Sequence, residues 1–396
     1  MLKEIKKGIY FVGALDWDRK LFDELIPLPD GTSYNSYIVK GEDKVALIDT
    51  VDPRKTGELL YNLKKLKLEK IDYIISNHAE MDHSGSIPNV LKLFPNAKVV
   101  TNKKAKPLLV EFMNIPDDRF ILVGENDTVN LGGRTLKFIM TPWVHWPETM
   151  VTYLVEDKIL FTCDFLASHI ATNELFVKDK SKSLEASKRY YAEIMMPFRA
   201  MVKSDLKKVK DLEPSMIAPS HGQIHLDPSF IIGLHEKWVS DEMENTVLIP
   251  YVSMYESTQK LVNRLVYELQ DKGINAVPIN VVGVDIGKVA IELVDTATIV
   301  MASPTVLSSV HPAMAYVAYL ANVLKPKAHF ASLIGSYGWG GREVDNLIGM
   351  LKNLKLEFIN PVLVKGTPKE EDFKRISKLA DDIFKKHMDC ELVEKG

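Results

Sequence analysis

Cysteine is nearly absent from this 396-residue chain, which has only Cys163 and Cys390. Two thiols cannot build a disulfide framework or a cysteine-based metal site, and their scarcity fits a reducing compartment such as the cytoplasm. An excess of one charge is also missing. Fifty Lys and Arg face 53 Asp and Glu, a formal net charge of −3. That balance offers no basic surface for nucleic acid or an acidic membrane. No stretch reaches the roughly 18 consecutive apolar residues of a membrane-spanning helix. The opening Met1-Leu2-Lys3-Glu4-Ile5-Lys6-Lys7 lacks the apolar core of a signal peptide. What is present is 46% hydrophobic and 26% charged residues, the profile of a soluble globular protein, over a length that suits two domains rather than one.

The pattern changes near residue 245. Before it, short strands alternate with turns: candidates are Tyr37-Ile38-Val39, Val45-Ala46-Leu47-Ile48, Tyr73-Ile74-Ile75, Val99-Val100, residues 136–140, 159–161 and 216–218. The Leu-Gly-Gly-Arg stretch at 131–134 reads as a hairpin turn. Several of these strands run straight into polar, ligand-type residues, so function gathers on loops at one sheet edge. After it, strands near 247–252, 276–282, 297–302, 329–335 and 357–364 alternate with helices near 256–272, 311–324, 341–354 and 368–387. Five strands with intervening helices form the pattern of a flavodoxin-like doubly wound parallel sheet. Pro278 assigns its strand to the sheet edge. The expected domains are 1–245 and 246–396, with the boundary inside 238–245.

The densest chemistry lies in Asn77-His78-Ala79-Glu80-Met81-Asp82-His83, just after an apolar stretch that reads as a buried strand. Four potential metal ligands, His78, Glu80, Asp82 and His83, occupy six positions. Ligands at alternate positions on a turn converge on a small volume, and the adjacent pair can face two ions, which points to two metals. Further ligand types stand at other strand ends: His145 after 136–140, Asp164 after 158–163, and His221 after 216–218. Imidazoles plus carboxylates form the ligand set of a hydrolytic or redox metal pair. His169, five residues beyond Asp164, is a candidate for proton delivery. His225, His235, His329 and His387 lack such company and are expected on the surface or in packing. Cys163 is expected as a small buried residue.

This ligand order resembles the metallo-β-lactamase superfamily, whose hydrolases usually read His-x-His-x-Asp-His, then a later His, an Asp and a final His. Here Glu80 stands where a His would be. An anionic oxygen donor makes the site harder and favours iron. The His-x-Glu-x-Asp-His variant is similar to that of the flavodiiron proteins. The resemblance implies an N-terminal αββα sandwich holding two non-haem irons: one on His78, Glu80 and His145, the other on Asp82, His83 and His221, with Asp164 bridging. It also implies a tyrosine near the iron pocket, matched here by Tyr191.

In the second half, Ser253-Met254-Tyr255-Glu256-Ser257-Thr258 lies between a strand and a helix, a hydroxyl-rich turn suited to a phosphate monoester. Taken alone, such a turn is equally a simple helix cap. Two further loops follow strands: Ser303-Pro304-Thr305-Val306, and Ser336-Tyr337-Gly338-Trp339-Gly340. Glycines there let the backbone approach a flat ring, and Tyr337 or Trp339 supplies stacking area. The three loops resemble the FMN-binding loops of flavodoxin, including Ser-x-x-x-Ser-Thr and Ser-Pro-Thr. One departure is that residues 306–311 lack the Asn residues common there.

Together the two halves resemble the flavodiiron family along nearly the whole chain. The resemblance implies reduction of dioxygen to water, or of nitric oxide to nitrous oxide, with FMN relaying electrons. It implies a head-to-tail homodimer, or a dimer of dimers, that brings the FMN of one subunit to the irons of the other. No Cys-x-x-Cys pair is present, so the donor is expected to be a separate molecule, rubredoxin or a reduced deazaflavin. Two competing readings are a metal-dependent hydrolase with an electron-carrier flavodoxin domain, and an electron carrier whose metal domain is a remnant. Glu80 and the complete ligand set weigh against them.

Overall fold

In the computed structural model, which describes residues 1–339 and 343–393, the chain divides into two compact units, Met1–Val239 and Ser240–Gly396. The first is built on two sheets. One runs in the spatial order Lys3–Lys6, Ile9–Phe11, Tyr37–Lys40, Val45–Ile48, Tyr73–Ile75, Lys98–Asn102, Phe120–Val123. The other runs Thr128–Asn130, Thr135–Met140, Met150–Leu154, Ile159–Cys163, Met216–Pro219. Alternate residues of both sheets, among them Tyr37, Val39, Ile48, Leu136, Phe138 and Phe161, share one core. The rings of Tyr37 and Phe161 meet across it at 5.1 Å. The other faces are dry as well: Ile38, Leu47, Ile74 and Val99 are fully buried. Strands covered on both sides read as unbroken apolar runs, which is how the sequence shows them. Helices such as Thr56–Lys65, with Leu59 and Leu63 buried, and Arg199–Asp211, with Val202, Leu206 and Val209 buried, complete an αββα sandwich.

Strand direction decides where the loops open. Val45–Ile48, Tyr73–Ile75, Lys98–Asn102 and Phe120–Val123 are mutually parallel. In the second sheet Ile159–Cys163 and Met216–Pro219 are parallel. Thr135–Met140 shares their direction, because it and Ile159–Cys163 both run antiparallel to Met150–Leu154. The ends that carry the ligand-type residues therefore emerge together. The turn at 131–134 joins Thr128–Asn130 to Thr135–Met140 as its sequence predicts; Gly132 and Gly133 adopt φ of 84° and 68° there.

The second unit carries a parallel sheet in the order Asn275–Asn280, Glu244–Tyr251, Thr296–Val306, Phe330–Tyr337, with Glu357–Phe358 and Val362–Lys365 both pairing to the last. This is the doubly wound order expected, with Pro278 on the edge strand. Two details differ from the sequence reading. The strand expected over 357–364 is two short pieces, since Pro361 has no N–H to give to a ladder. A helix, Gly287–Leu293, covers the crossover from the edge strand to Thr296–Val306; its few residues gave too short a period to register, although Val289, Ala290 and Leu293 are buried. His387, fully buried, packs as expected, its Nε2 2.8 Å from Thr298 Oγ1. Among the described residues no helix is long and apolar enough to cross a membrane.

Candidate metal centre and cofactor cleft

The ligand-rich turn is held before any metal is considered. As the chain leaves Tyr73–Ile75, the backbone and side-chain N–H groups of Asn77 donate to Asp49 Oδ1 and Oδ2, each at 2.8 Å. Thr152 Oγ1 donates to Asn77 Oδ1 at 2.6 Å, so the same side chain ties the turn to the second sheet. Ser220 Oγ reaches Asp49 Oδ2 at 3.3 Å, which fixes the residue before His221 to the same anchor. His78 Nδ1 donates to Glu148 Oε1 at 2.6 Å, and His221 Nδ1 to the Ser33 carbonyl at 2.6 Å. With Nδ1 occupied, both rings turn Nε2 inward.

The seven residues expected as ligands converge into two groups around Asp164. On one side, Glu80 Oε2 lies 3.0 Å from His78 Nε2 and 3.3 Å from His145 Nε2, and Asp164 Oδ2 lies 3.6 Å from each imidazole. On the other, Asp82 lies 3.3 Å from His83 Nε2 and 3.1 Å from His221 Nε2, while Asp164 Oδ1 lies 3.1 and 3.3 Å from the same atoms. Asp164 thus turns one oxygen to each group. His78, Asp82, His83, Asp164 and His221 are buried; Glu80 and His145 are partly open.

The donor set fits cations. Among the described residues, both oxygens of Asp82, and Asp164 Oδ2, are buried without a hydrogen-bond partner, a costly state for a carboxylate that a bound cation relieves. The titration behaviour has the same sense. Burial opposes a charge on His221, but the neighbouring carboxylates of Asp164 and Asp82 outweigh it and raise its pKa to about 10. Burial works against protonated His78 as well, yet Glu148 and Glu80 hold its pKa well above the ordinary value. Burial would raise the Asp164 carboxyl, and His83 and His221 instead keep it well below the usual range. The cluster attracts positive charge.

The second unit has a cleft of about 380 Å³ at the C-terminal edge of its sheet, lined by Ser253, Met254, Tyr255, Ser257, Thr258, Pro304, Thr305, Ser336, Tyr337 and Gly338. That volume suits a small cofactor. The N-terminus of helix Ser257–Gln270 opens onto it, and Gln259 N–H donates to Ser253 Oγ at 3.2 Å. Thr258 Oγ1 and Ser336 Oγ join two of the loops at 2.8 Å. Thr305 Oγ1 is buried and has no partner among the described residues. A hydroxyl-lined cleft at a helix N-terminus fits a phosphate-bearing cofactor such as FMN.

Residues 32–222 match the family model described as ODP family beta lactamase. A flavo-diiron protein of Clostridium acetobutylicum is 32% identical, over 96% of this chain and 98% of its own. The chain belongs to the flavo-diiron protein family. A nitric oxide reductase of Moorella thermoacetica is 33% identical over 96% of this chain and 97% of its own. The solved rubredoxin oxygen:oxidoreductase of Desulfovibrio gigas superposes with a TM-score of 0.95 at 27% identity, covering 100% of both chains. Membership of this flavo-diiron family implies iron and FMN, and the two sites just described are where the residues fit them.

Not every expected residue falls on a site. The tyrosine that reaches the cluster is Tyr190, whose hydroxyl donates to Asp164 Oδ1 at 2.8 Å. Tyr191 points away, its hydroxyl on the Trp238 carbonyl at 3.2 Å and its ring against His235. Neighbours on a helix lie about 100° apart, so only one of a tyrosine pair faces the cluster. His169 does approach, its ring 4.8 Å from those of His221 and Tyr190 and its Nδ1 2.8 Å from Thr32 Oγ1. Burial, then the neighbouring His221, pushes its pKa well below the ordinary value. Glu256, Ser303, Val306 and Trp339 do not line the cleft. Ser303 Oγ accepts from His311 N–H at 3.1 Å, and Trp339 is 69% exposed. Gly340 lies outside the described residues. Sequence reasoning missed Glu148 and Ser33 behind the imidazoles, and Gly366 and Thr367 in the cleft. Only Glu148 carried a signal, as an acidic residue three positions after His145.

Two outcomes follow from these geometries. In metal-stripped protein the raised His221 pKa contributes stability that is complete below pH about 6.5 and is lost as pH rises through about 10. The thermal midpoint of that form should fall across this window, while bound metal, replacing the proton, holds it level; parallel curves for the two forms would contradict the cluster's role. Thr305→Val removes a buried hydroxyl with no partner among the described residues, so the flavin-free variant should be at least as stable as the parent. Its FMN affinity, read by fluorescence titration, should drop about tenfold, or ~1.4 kcal/mol; equal affinity removes that hydroxyl from the flavin's contacts.

Proposed function

We propose that this protein is a cytoplasmic reductase of dioxygen, nitric oxide or both, with a pair of irons in the first unit and FMN in the second. The observation that carries the reading is Asp164, whose two oxygens face two separate three-residue groups. His78, Glu80 and His145 would hold one iron and Asp82, His83 and His221 the other, with Asp164 shared. When bound, two ferrous ions and reduced FMN together supply four electrons, enough to take dioxygen to water.

The chain's own residues do the remaining tasks. Asp49 and Asn77 hold the ligand turn rigid, which keeps the donor geometry when the metal charge changes. Burial of His78, Asp82, Asp164 and His221 keeps bulk water from the cluster, while the partly open Glu80 and His145 leave access on their side for a small gas. Tyr190 keeps a proton 2.8 Å from Asp164 Oδ1, and His169 stands beside it. In the cleft, Ser253, Ser257 and Thr258 with the helix N-terminus would take the FMN phosphate, and Tyr337 would lie near the flat ring.

The working form is read as a head-to-tail homodimer, or a dimer of dimers, in which flavin and irons of different subunits meet. Rubredoxin is the donor suggested by the printed name of the Desulfovibrio gigas enzyme, and a reduced deazaflavin is the alternative. A hydrolytic role fits less well, because Glu80 places a third carboxylate against His78 and His145.

Anaerobic reduction followed by parallel oxygen and nitric oxide consumption, with peroxide measured, tests the whole reading. Consumption of one or both gases without peroxide is expected; a reduced protein inert to both would refute it. Glu80→His should shift the metal content from iron towards zinc and lower turnover while FMN stays bound. An unchanged iron content and rate would show that the carboxylate has no part in iron choice.

A further inference from the structure

The two halves of the cluster present matched donors to their metals. Each offers two imidazoles and one carboxylate of its own, and each faces one oxygen of Asp164. What differs is the group behind His78, His83 and His221. His221 Nδ1 donates to a neutral carbonyl, that of Ser33, at 2.6 Å. His83 Nδ1 has Cys163 Sγ at 3.6 Å. His78 Nδ1 meets a carboxylate, Glu148 Oε1, at 2.6 Å.

Glu148 is well placed to act on that ring. Its side chain is 0% exposed, so water does not screen it. Oε1 also accepts the Ala79 N–H at 3.1 Å, which fixes the carboxylate's position. Oε2 is buried and has no hydrogen-bond partner among the described residues. A carboxylate drawing on Nδ1–H moves electron density towards Nε2 and makes the imidazole a stronger donor. A stronger donor favours the more highly charged metal ion. Neither partner does this for the other half: the Ser33 carbonyl carries no charge, and Cys163 Sγ lies 3.6 Å from His83 Nδ1 where Glu148 Oε1 lies 2.6 Å from His78 Nδ1.

We infer that Glu148 is a positioning residue that acts through His78 to make the His78–Glu80–His145 half hold the ferric ion first when a reduced iron pair loses one electron. The inference rests on the diiron reading above and adds an order of oxidation to it.

The test uses the full chain loaded with iron and FMN, reduced anaerobically and titrated with ferricyanide as the one-electron acceptor. Iron content, FMN content, far-UV circular dichroism and the midpoint potential of the first iron couple are read together. Glu148→Gln should weaken iron binding about tenfold to a hundredfold. It should also raise the potential of the first couple, with FMN and fold unchanged, and Glu148→Asp should recover most of the shift. A folded, iron-loaded Gln variant with an unaltered first couple would overturn the inference and leave the diiron reading intact. Wild-type protein that binds no iron would overturn both. Should the Gln variant not fold, proton NMR of the dizinc wild-type chain decides. The His78 Nδ1 proton is expected furthest downfield among the ligand imidazoles, and a shift equal to those of His83 and His221 would refute the inference.

Discussion

Asp82 and Asp164 are buried carboxylates that the polypeptide leaves short of partners, and the first unit is organised around that constraint. Removing an ion from water costs several kcal/mol even after relaxation. The chain does not meet this cost with lysine or arginine: the groups within reach of these oxygens are His78, His83, His145, His221 and the Tyr190 hydroxyl. Imidazoles are the cationic partner that can also be vacated, since each becomes a neutral ligand when it gives up its proton. The same pocket is therefore tolerable with protons and better satisfied with metal.

Such a pocket needs fixed walls, and the two sheets supply them through one further buried acid. Asp49 accepts from Asn77 at the end of one sheet and from Ser220 at the end of the other, so the loops carrying His78 and His221 share a single anchor. Its own pKa is raised by burial, which the His83 charge and the Asn77 bonds only partly offset. Gly222 allows the close fit that follows. Its φ is +80°, and a Cβ there would lie 2.1 Å from Ser168 Oγ, so His221 can be followed only by a residue without a side chain. Strand direction, anchor and glycine together place side chains that are 139 residues apart in sequence into contact.

Much of this was legible in the sequence, and the parts that were not have a common cause. The ligands announce themselves because polar, metal-binding side chains at the ends of apolar strands have no other reason to cluster. The doubly wound order followed from the alternation of strands and helices. Side chains that act from behind give no such signal. Glu148 lies in an ordinary Trp-Pro-Glu turn, and Ser33 contributes only a backbone carbonyl, which any residue would provide. Tyr190 and Tyr191 are adjacent, and helix phase alone separates them. The helix Lys180–Tyr190 passes there into a π-helical turn, Tyr191–Met195, so regular periodicity is lost where it was needed. Trp339 looked like a stacking residue by composition, but residue type does not fix which way a loop turns.

The carboxylate at Glu80 links the pocket's electrostatics to its choice of chemistry. Three carboxylates, Glu80, Asp82 and Asp164, surround the two positions. Against two divalent ions they leave a net charge of plus one, and against two trivalent ions plus three. With a histidine in place of Glu80 each value rises by one. A buried site is destabilised by uncompensated charge of either sign, and the penalty grows faster than the charge itself. The lower total therefore matters most in the oxidised state, which a zinc hydrolase never visits. The substitution that separates this chain from the hydrolytic pattern is the one that makes two oxidation states of the same metal pair tolerable in a single fixed pocket.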